Sequence, residues 1–207
     1  MAPMLFAAMA HVITRRGLSA DRKVLAVSTF PEARIAADRL DIREFGSRDA
    51  GLVGELLSAG EPEAMPPGAP SQPDGLPGWL TDGVHQLRYG GGGVHLMMLD
   101  RERAKIVGAI SVFHADWEVR SAEIGYGVRS DERGQGYATE ALVAVSRWAL
   151  TAGGIQRAWL TANVDNVASV RVAEKAGFHR EGTLRRAAAE PDGLHDQAVF
   201  SLLNDEI

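Results

Sequence analysis

Cysteine is absent from the 207 residues. That excludes a disulfide framework, a thiolate nucleophile of the protein's own and a Cys-type zinc site. No run of eighteen apolar residues occurs, so no bilayer-spanning helix is expected. The six histidines show no His-x-x-x-His spacing, and no metal is expected. Basic residues are outnumbered, 22 Lys and Arg against 27 Asp and Glu, for a net charge of −5. This balance argues against a nucleic-acid partner and favours cationic small molecules or basic peptide ends. A secretory leader is not expected, since "MAPMLFAAMAHVITRRG" places its basic residues after the apolar stretch. The expectation is a cytoplasmic protein without a membrane partner. It divides into a partly disordered N-terminal extension, 1–36, and a folded domain, 37–207.

Hydrophobic residues at 45% and charged residues at 24% are ordinary for a globular domain. No internal repeat is found. "RLDIREF" alternates and predicts a first strand, followed by a short helix, "AGLVGELLSAG", with Asp49 as its cap. "EPEAMPPGAPSQPDGLPG" carries six prolines and reads as a long loop of the lid or substrate-binding kind. "WLTDGVHQLRYG" predicts a second helix. "VHLMMLD" and "IVGAISVF" then form a hairpin, and "SAEIGYGV" is the next strand. A helix of about fourteen residues stops at Gly153 and Gly154. "IQRAWLTAN" is a strand and "NVASVRVAEKAG" a helix capped by Asn166. "FHREGTLRRAA" and "LHDQAVFSLL" close the chain as a hairpin. This order predicts a mixed α/β (α+β) domain around one sheet.

Glycine costs backbone entropy, so its repeated use in "RGQGYATEALVAVSRWAL", where a strand meets a helix, needs a reason. A helix start carries unpaired N–H groups and partial positive charge. Glycines beside it let an anion approach closely, which makes such a turn a ready pyrophosphate cradle. The spacing Arg133-x-x-Gly136-x-Ala138, with Gly134 inside, is neither a P-loop nor a dinucleotide fingerprint. A tight packing turn is the alternative reading of this stretch alone.

Together, "EIGYGV", "RGQGYATEAL", "NVDNVASVRVAEKAGF" and "EGTLR" resemble the GNAT superfamily of N-acetyltransferases. Within it they look like the branch that includes the ribosomal-protein N-terminal acetyltransferases. The resemblance covers roughly Arg39 to Leu203. It implies a mostly antiparallel twisted sheet of six to seven strands, splayed between the fourth and fifth, with about four helices. It also implies acetyl-CoA as the acyl donor and a primary amine as acceptor, meeting by direct attack in a ternary complex. Backbone groups of Arg133, Gly134, Gly136, Tyr137 and Ala138, with Thr139, would hold the CoA phosphates. Val128 would pair its main chain with the pantetheine arm and offer an N–H to the carbonyl oxygen. Asn166 and Asn163 would face the same slot.

Amide formation needs a neutral amine, and an alkyl amine has a pKa near 10.4, so a base or a water path must remove a proton. Glu123, on the strand leading to the splay, is the candidate base; a structural partner for a cation is its plainer role. Ser169 is the candidate acid, by resemblance to the ribosomal-protein branch, or else a first-turn helix serine bonded to backbone. Many relatives place a tyrosine acid where this chain has Ala173. Ala187, Ala188 and Ala189 stand near where some ribosomal-protein enzymes carry a catalytic Glu. His195 and Asp196, in the last strand, are further polar candidates, with a satisfied strand pair as their preferred reading. Glu61, Glu63, Asp74 and Trp79 are candidate contacts for a cationic acceptor. A non-catalytic acyl-CoA-binding regulatory module stays open as the alternative, as does a homodimer through the sheet edge or the final hairpin.

Overall fold

The computed structural model describes residues 28–207. The first part of the expected extension, residues 1–27, lies outside the described residues. Among the described residues eight strands form one open sheet. They are β1 (Arg34–Ala36), β2 (Leu40–Glu44), β3 (Val94–Asp100), β4 (Lys105–Asp116), β5 (Ser121–Val128), β6 (Arg157–Asn163), β7 (His179–Glu190) and β8 (Gly193–Leu203). Their order across the sheet is β1-β2-β3-β4-β5-β6-β8-β7. All neighbours run antiparallel except β5 and β6.

The eighth strand is β1, which falls in the stretch expected as extension. Three residues are too few to show a period, yet Ile35 pairs with Ile42 and Phe30 is buried just before it. The sheet therefore begins at Arg34. Five α-helices appear where four were expected: α1 (Ala50–Ser58), α2 (Leu76–Thr81), α3 (Gln86–Tyr89), α4 (Tyr137–Leu150) and α5 (Val167–Lys175). The extra one arises because a 3-10 turn at Gly83–His85 divides the expected second helix. Asp49 precedes α1, but its carboxylate accepts from the Gly46 N–H and from Arg43 instead of capping the helix.

Each face of the sheet has its own core. Leu40, Ile42, Leu96, Ile110, Ile124 and Tyr126 pack towards α4 and α5. Phe45, Met97 and Ala109 pack on the other face with Val53 and Leu56 of α1 and Trp79 of α2. Helix α4 turns Ala141, Leu142, Val145 and Ala149 inward, the 3.6-residue stripe of a helix lying on a sheet. The proline-rich segment is mostly irregular, as expected, but holds short 3-10 turns at Pro62–Ala64 and Pro73–Gly75.

Candidate functional site

The ladder between β5 and β6 is short. It pairs Ser121 with Arg157, Ala122 with Ala158 and Glu123 with Trp159, and ends there. Beyond Glu123 the two parallel strands part, between the fourth and fifth of the expected strands. On its other side β5 stays paired with β4 through Val128, opposite Gly108. Antiparallel pairs alternate between bonded and non-bonded positions. Arg129 N–H donates to the Val107 carbonyl at 2.9 Å, which makes Val128 opposite Gly108 a non-bonded pair. The main-chain groups of Tyr126 and Val128 therefore turn away from β4, into the gap. The Val128 carbonyl accepts from Arg133 Nε at 3.2 Å.

At the open end of the gap the chain passes through "RGQG" into α4. Gly134 has φ +79° and Gly136 +87°, left-handed values that glycine adopts without penalty. Gly136 sits at the cap position, and the first helical bond runs from Glu140 N–H to the Gly136 carbonyl at 3.1 Å. The Tyr137, Ala138 and Thr139 amides have no acceptor among the described residues. The positive end of a fourteen-residue helix thus opens beside the split strands.

A bracing network that sequence reasoning missed holds this turn. Arg39 donates to the Gln135 carbonyl at 3.0 Å and to Glu140 at 2.8 Å, and stacks over the Tyr137 ring at 4.3 Å. Glu140 also accepts the backbone N–H groups of Arg39 and Leu40. Gln135 donates to Glu132, which is buried and held in bidentate fashion by Arg103 at 2.9 Å and by Lys105. The Arg103 bonds depress the Glu132 pKa. The Tyr137 hydroxyl donates to Asp100 at 2.7 Å, and this bond leads the causes that bring the Asp100 pKa down to about 2. Tyr137 therefore offers its amide to the site and its ring to the core. Only the charges of this network were visible in the sequence, because its partners lie up to 101 positions apart.

The candidate base and acid occupy opposite faces. Glu123 shares its face with Phe113 and Trp159, its ladder partners, and its neighbour Gly127 shares one with Ala109 of the α1–α2 layer. Burial pushes the Glu123 pKa up, opposed by His114, whose Nδ1 lies 2.9 Å from Oε2, and by Thr161. Ser169 is buried in the first turn of α5, on the α4–α5 side. Its N–H donates to Asn166 Oδ1 at 3.1 Å, and its carbonyl accepts from the Tyr126 hydroxyl. Burial raises the Tyr126 pKa to about 12.

Other expected residues have partners of their own. Asn166 caps α5, so its side-chain oxygen is engaged there. Asn163 ends β6, but its amide donates to Glu190 of the closing hairpin at 3.0 Å and its oxygen accepts the Asp165 N–H. His195 pairs with Asp192 at 2.8 Å, and Asp196 accepts the Arg186 N–H. Trp79 is core, packed edge-on to Phe45 at 5.3 Å, because its indole completes the α1–α2 layer. Glu61 accepts from the Ser130 N–H at 2.9 Å, tying the proline-rich loop to the end of β5. The Glu63 carbonyl lies over Gly127, where any Cβ would overlap it, so glycine is required for that close approach.

An open mixed sheet parted beside a bare helix entrance defines the architecture of acyl-CoA-dependent acyltransferases. Residues 39–179 match the model of the acetyltransferase (GNAT) domain, and the chain belongs to that family. It is 30% identical over 122 residues to a ribosomal-protein-serine acetyltransferase of Escherichia coli (strain K12), covering 59% of this chain and 65% of that one. The chain spans about three fifths of the length of such curated relatives. Among solved structures, Mycobacterium smegmatis RimJ in complex with CoA-disulfide superposes with a TM-score of 0.70 at 24% identity, covering 87% of this chain and 90% of that one. The ribosomal-protein-S5-alanine acetyltransferase of Vibrio fischeri gives 0.71 at 19% identity, with coverages of 84% and 98%. These two likenesses establish the fold. Among the described residues no helix is long and apolar enough to cross a membrane.

Proposed function

We propose that this chain is an acetyl-CoA-dependent N-acetyltransferase that acetylates a primary amine by direct attack within a ternary complex. One observation carries the reading: the β5–β6 ladder stops at Glu123, and the main chain beyond it faces a gap that ends at unpaired α4 amides. A diphosphate is the anion such an entrance takes. An extended arm bearing amides is what an unpaired strand edge takes. CoA carries both, and the RimJ structure holds a CoA derivative.

Roles follow from position. The turn amides from Gly134 to Thr139 hold the diphosphate. Val128, near that entrance, pairs with the arm, and the exposed Arg133 guanidinium gives up the Val128 carbonyl to it. Tyr126, one inward position deeper, takes the part expected of Val128 and aims its N–H at the thioester oxygen, where charge develops in the transition state. The acceptor approaches from the α1–α2 side. Glu123 takes a proton from its ammonium, the nitrogen lone pair attacks the carbonyl carbon, and the C–S bond breaks. The thiolate leaves towards the α4–α5 side and is protonated by Ser169, directly or through water, and the second proton that the nitrogen gives up as the amide forms is relayed through water to restore the Ser169 hydroxyl. Glu190 and Asp192 at the hairpin tip beside Asn163 suit a cationic acceptor. A small amine and a protein N-terminus, the acceptor type named for the Escherichia coli relative, both satisfy that chemistry. The cytoplasm, where acetyl-CoA is available, is the proposed setting.

Thiol release from acetyl-CoA with a panel of primary amines tests this. Glu123→Gln is expected to lower kcat by roughly 10²–10⁴-fold, with CoA affinity unchanged. CoA binding with no thiol release from any amine would favour a regulatory acyl-CoA-binding module instead.

A further inference from the structure

The charge balance of the reaction makes a demand that Glu123 alone does not meet. An alkylammonium and a thioester yield an amide, a thiol and one proton in excess. The nitrogen loses two protons in all, of which the thiolate keeps one. The other arrives on Glu123, whose side chain is 13% exposed. Each turnover must clear that proton to solvent before the carboxylate works again.

The chain builds a device at this point. Phe113 pairs with Glu123, then Asp116 with Ser121, so β4 carries an irregularity across His114 and Ala115. Strand alternation would send the side chain after Phe113 to the opposite face from Glu123. His114 instead takes φ +52°, in the left-handed region, and its imidazole comes back to Glu123. A bulge is the standard means of re-aiming one side chain without moving its strand. The ring is 47% exposed, and its Nδ1 lies 2.9 Å from Glu123 Oε2. It therefore touches the buried carboxylate with one end and reaches water with the other.

We infer that His114 is the proton outlet of the site: Glu123 passes the amine proton to Nδ1, Nε2 releases a proton to solvent, and exchange with water returns the neutral ring to its Nε2–H tautomer before the next turnover. The inference rests on Glu123 acting as the base. Among the described residues no other charged group bears on Glu123. From β6 the neutral Thr161 hydroxyl bears on Glu123. Farther along that face Arg157 is tied to Glu181 at 2.6 Å. From β3, His95 is committed to Ser111 at 2.8 Å. The proline-rich loop reaches β5 at Gly127, where its Glu63 backbone covers the strand. Burial raises the Glu123 pKa, and the imidazole opposes that rise.

The test uses the full chain with acetyl-CoA and a saturating primary amine. His114→Ala is expected to lose about tenfold or more in kcat, within the range of proton-transfer groups, with CoA binding intact. Added imidazole restores the rate, because the vacated site is open to solvent. In His114→Gln, which keeps a hydrogen-bonding side chain but carries no proton, the rate stays low and imidazole has little access. In His114→Ala the acid limb of kcat/KM moves to higher pH, since Glu123 has lost the group that lowers its pKa, and in His114→Gln, which keeps the hydrogen bond, it moves less. Amines of low basicity, which arrive neutral, lose little. Wild-type rates and pH profiles in both variants, or a loss that imidazole leaves untouched, would overturn the outlet. Wild-type activity in Glu123→Gln would instead overturn the assignment of the base beneath it.

Discussion

Replacing Gly136 by valine isolates the contribution of the turn. A Cβ at this position meets nothing nearer than Arg39 Nη2, at 3.5 Å, so the side chain fits sterically. The cost is conformational, because φ +87° disfavours L-residues by about 1–2 kcal/mol, and a β-branched residue by more. For a domain of this size that lowers Tm by about 2–8 °C. Binding suffers far more. The valine methyls stand where the diphosphate must approach, and relief of the strain swings the turn amides away. Losing two donors to a charged group removes about 3–6 kcal/mol, or roughly 10²–10⁴-fold in Kd. Gly177→Val is the matched control: φ is +85°, the surroundings are open, and the position follows α5 away from the turn. Calorimetric titration with CoA and thermal melts on both variants give the comparison. Both should melt a few degrees early, and only Gly136→Val should lose CoA. Wild-type CoA affinity in Gly136→Val would refute the anion-binding role of the turn.

Two further outcomes follow from buried polar groups. Tyr137→Phe removes the donor to Asp100, which costs about 1.5–3 kcal/mol at pH 7. The Asp100 pKa is depressed in the fold, so its contribution is full above pH 3.8 and fades as pH falls through about 2. The deficit in denaturant unfolding should therefore shrink near pH 2; equal stability of the variant and wild type at pH 7 would refute the bracing role. His95 has the same sign by a different cause, since burial lowers its pKa from 6.5 to about 4. Its neutral form belongs to the fold, so stability is full above pH 6.5 and about 3 kcal/mol is lost between pH 6.5 and 4. His95→Gln should flatten that slope in unfolding curves measured at pH 7 and pH 4.5.

What the sequence revealed and what it hid divide along physical lines. Gly134 and Gly136 were legible because only glycine enters left-handed backbone without penalty, and a helical period followed at once. The parting of β5 from β6 was legible through family resemblance and not through strand pattern, because pairing length leaves no mark on alternation. The bulge at His114 was invisible for a related reason: one inserted residue reverses the parity on which strand reading depends. Arg39 and Glu140, the main brace of the turn, meet across 101 positions. Nothing local distinguishes them from solvated charges. Trp79 misled because a tryptophan beside a proline-rich loop suits a binding surface as well as a core. The strand at Arg34 was missed because three residues cannot display a period.

Glu123 and Ser169 are separated by the thickness of the sheet itself, and this has a consequence for how such a protein diversifies. Under the proposed function the incoming amine and the outgoing thiol never share a chamber. Recognition of one is written in α1, α2 and the proline-rich segment; recognition of the other is written in α4 and α5. A lineage is then able to resculpt one wall for a new customer while the opposite wall, with its braced turn, is inherited untouched.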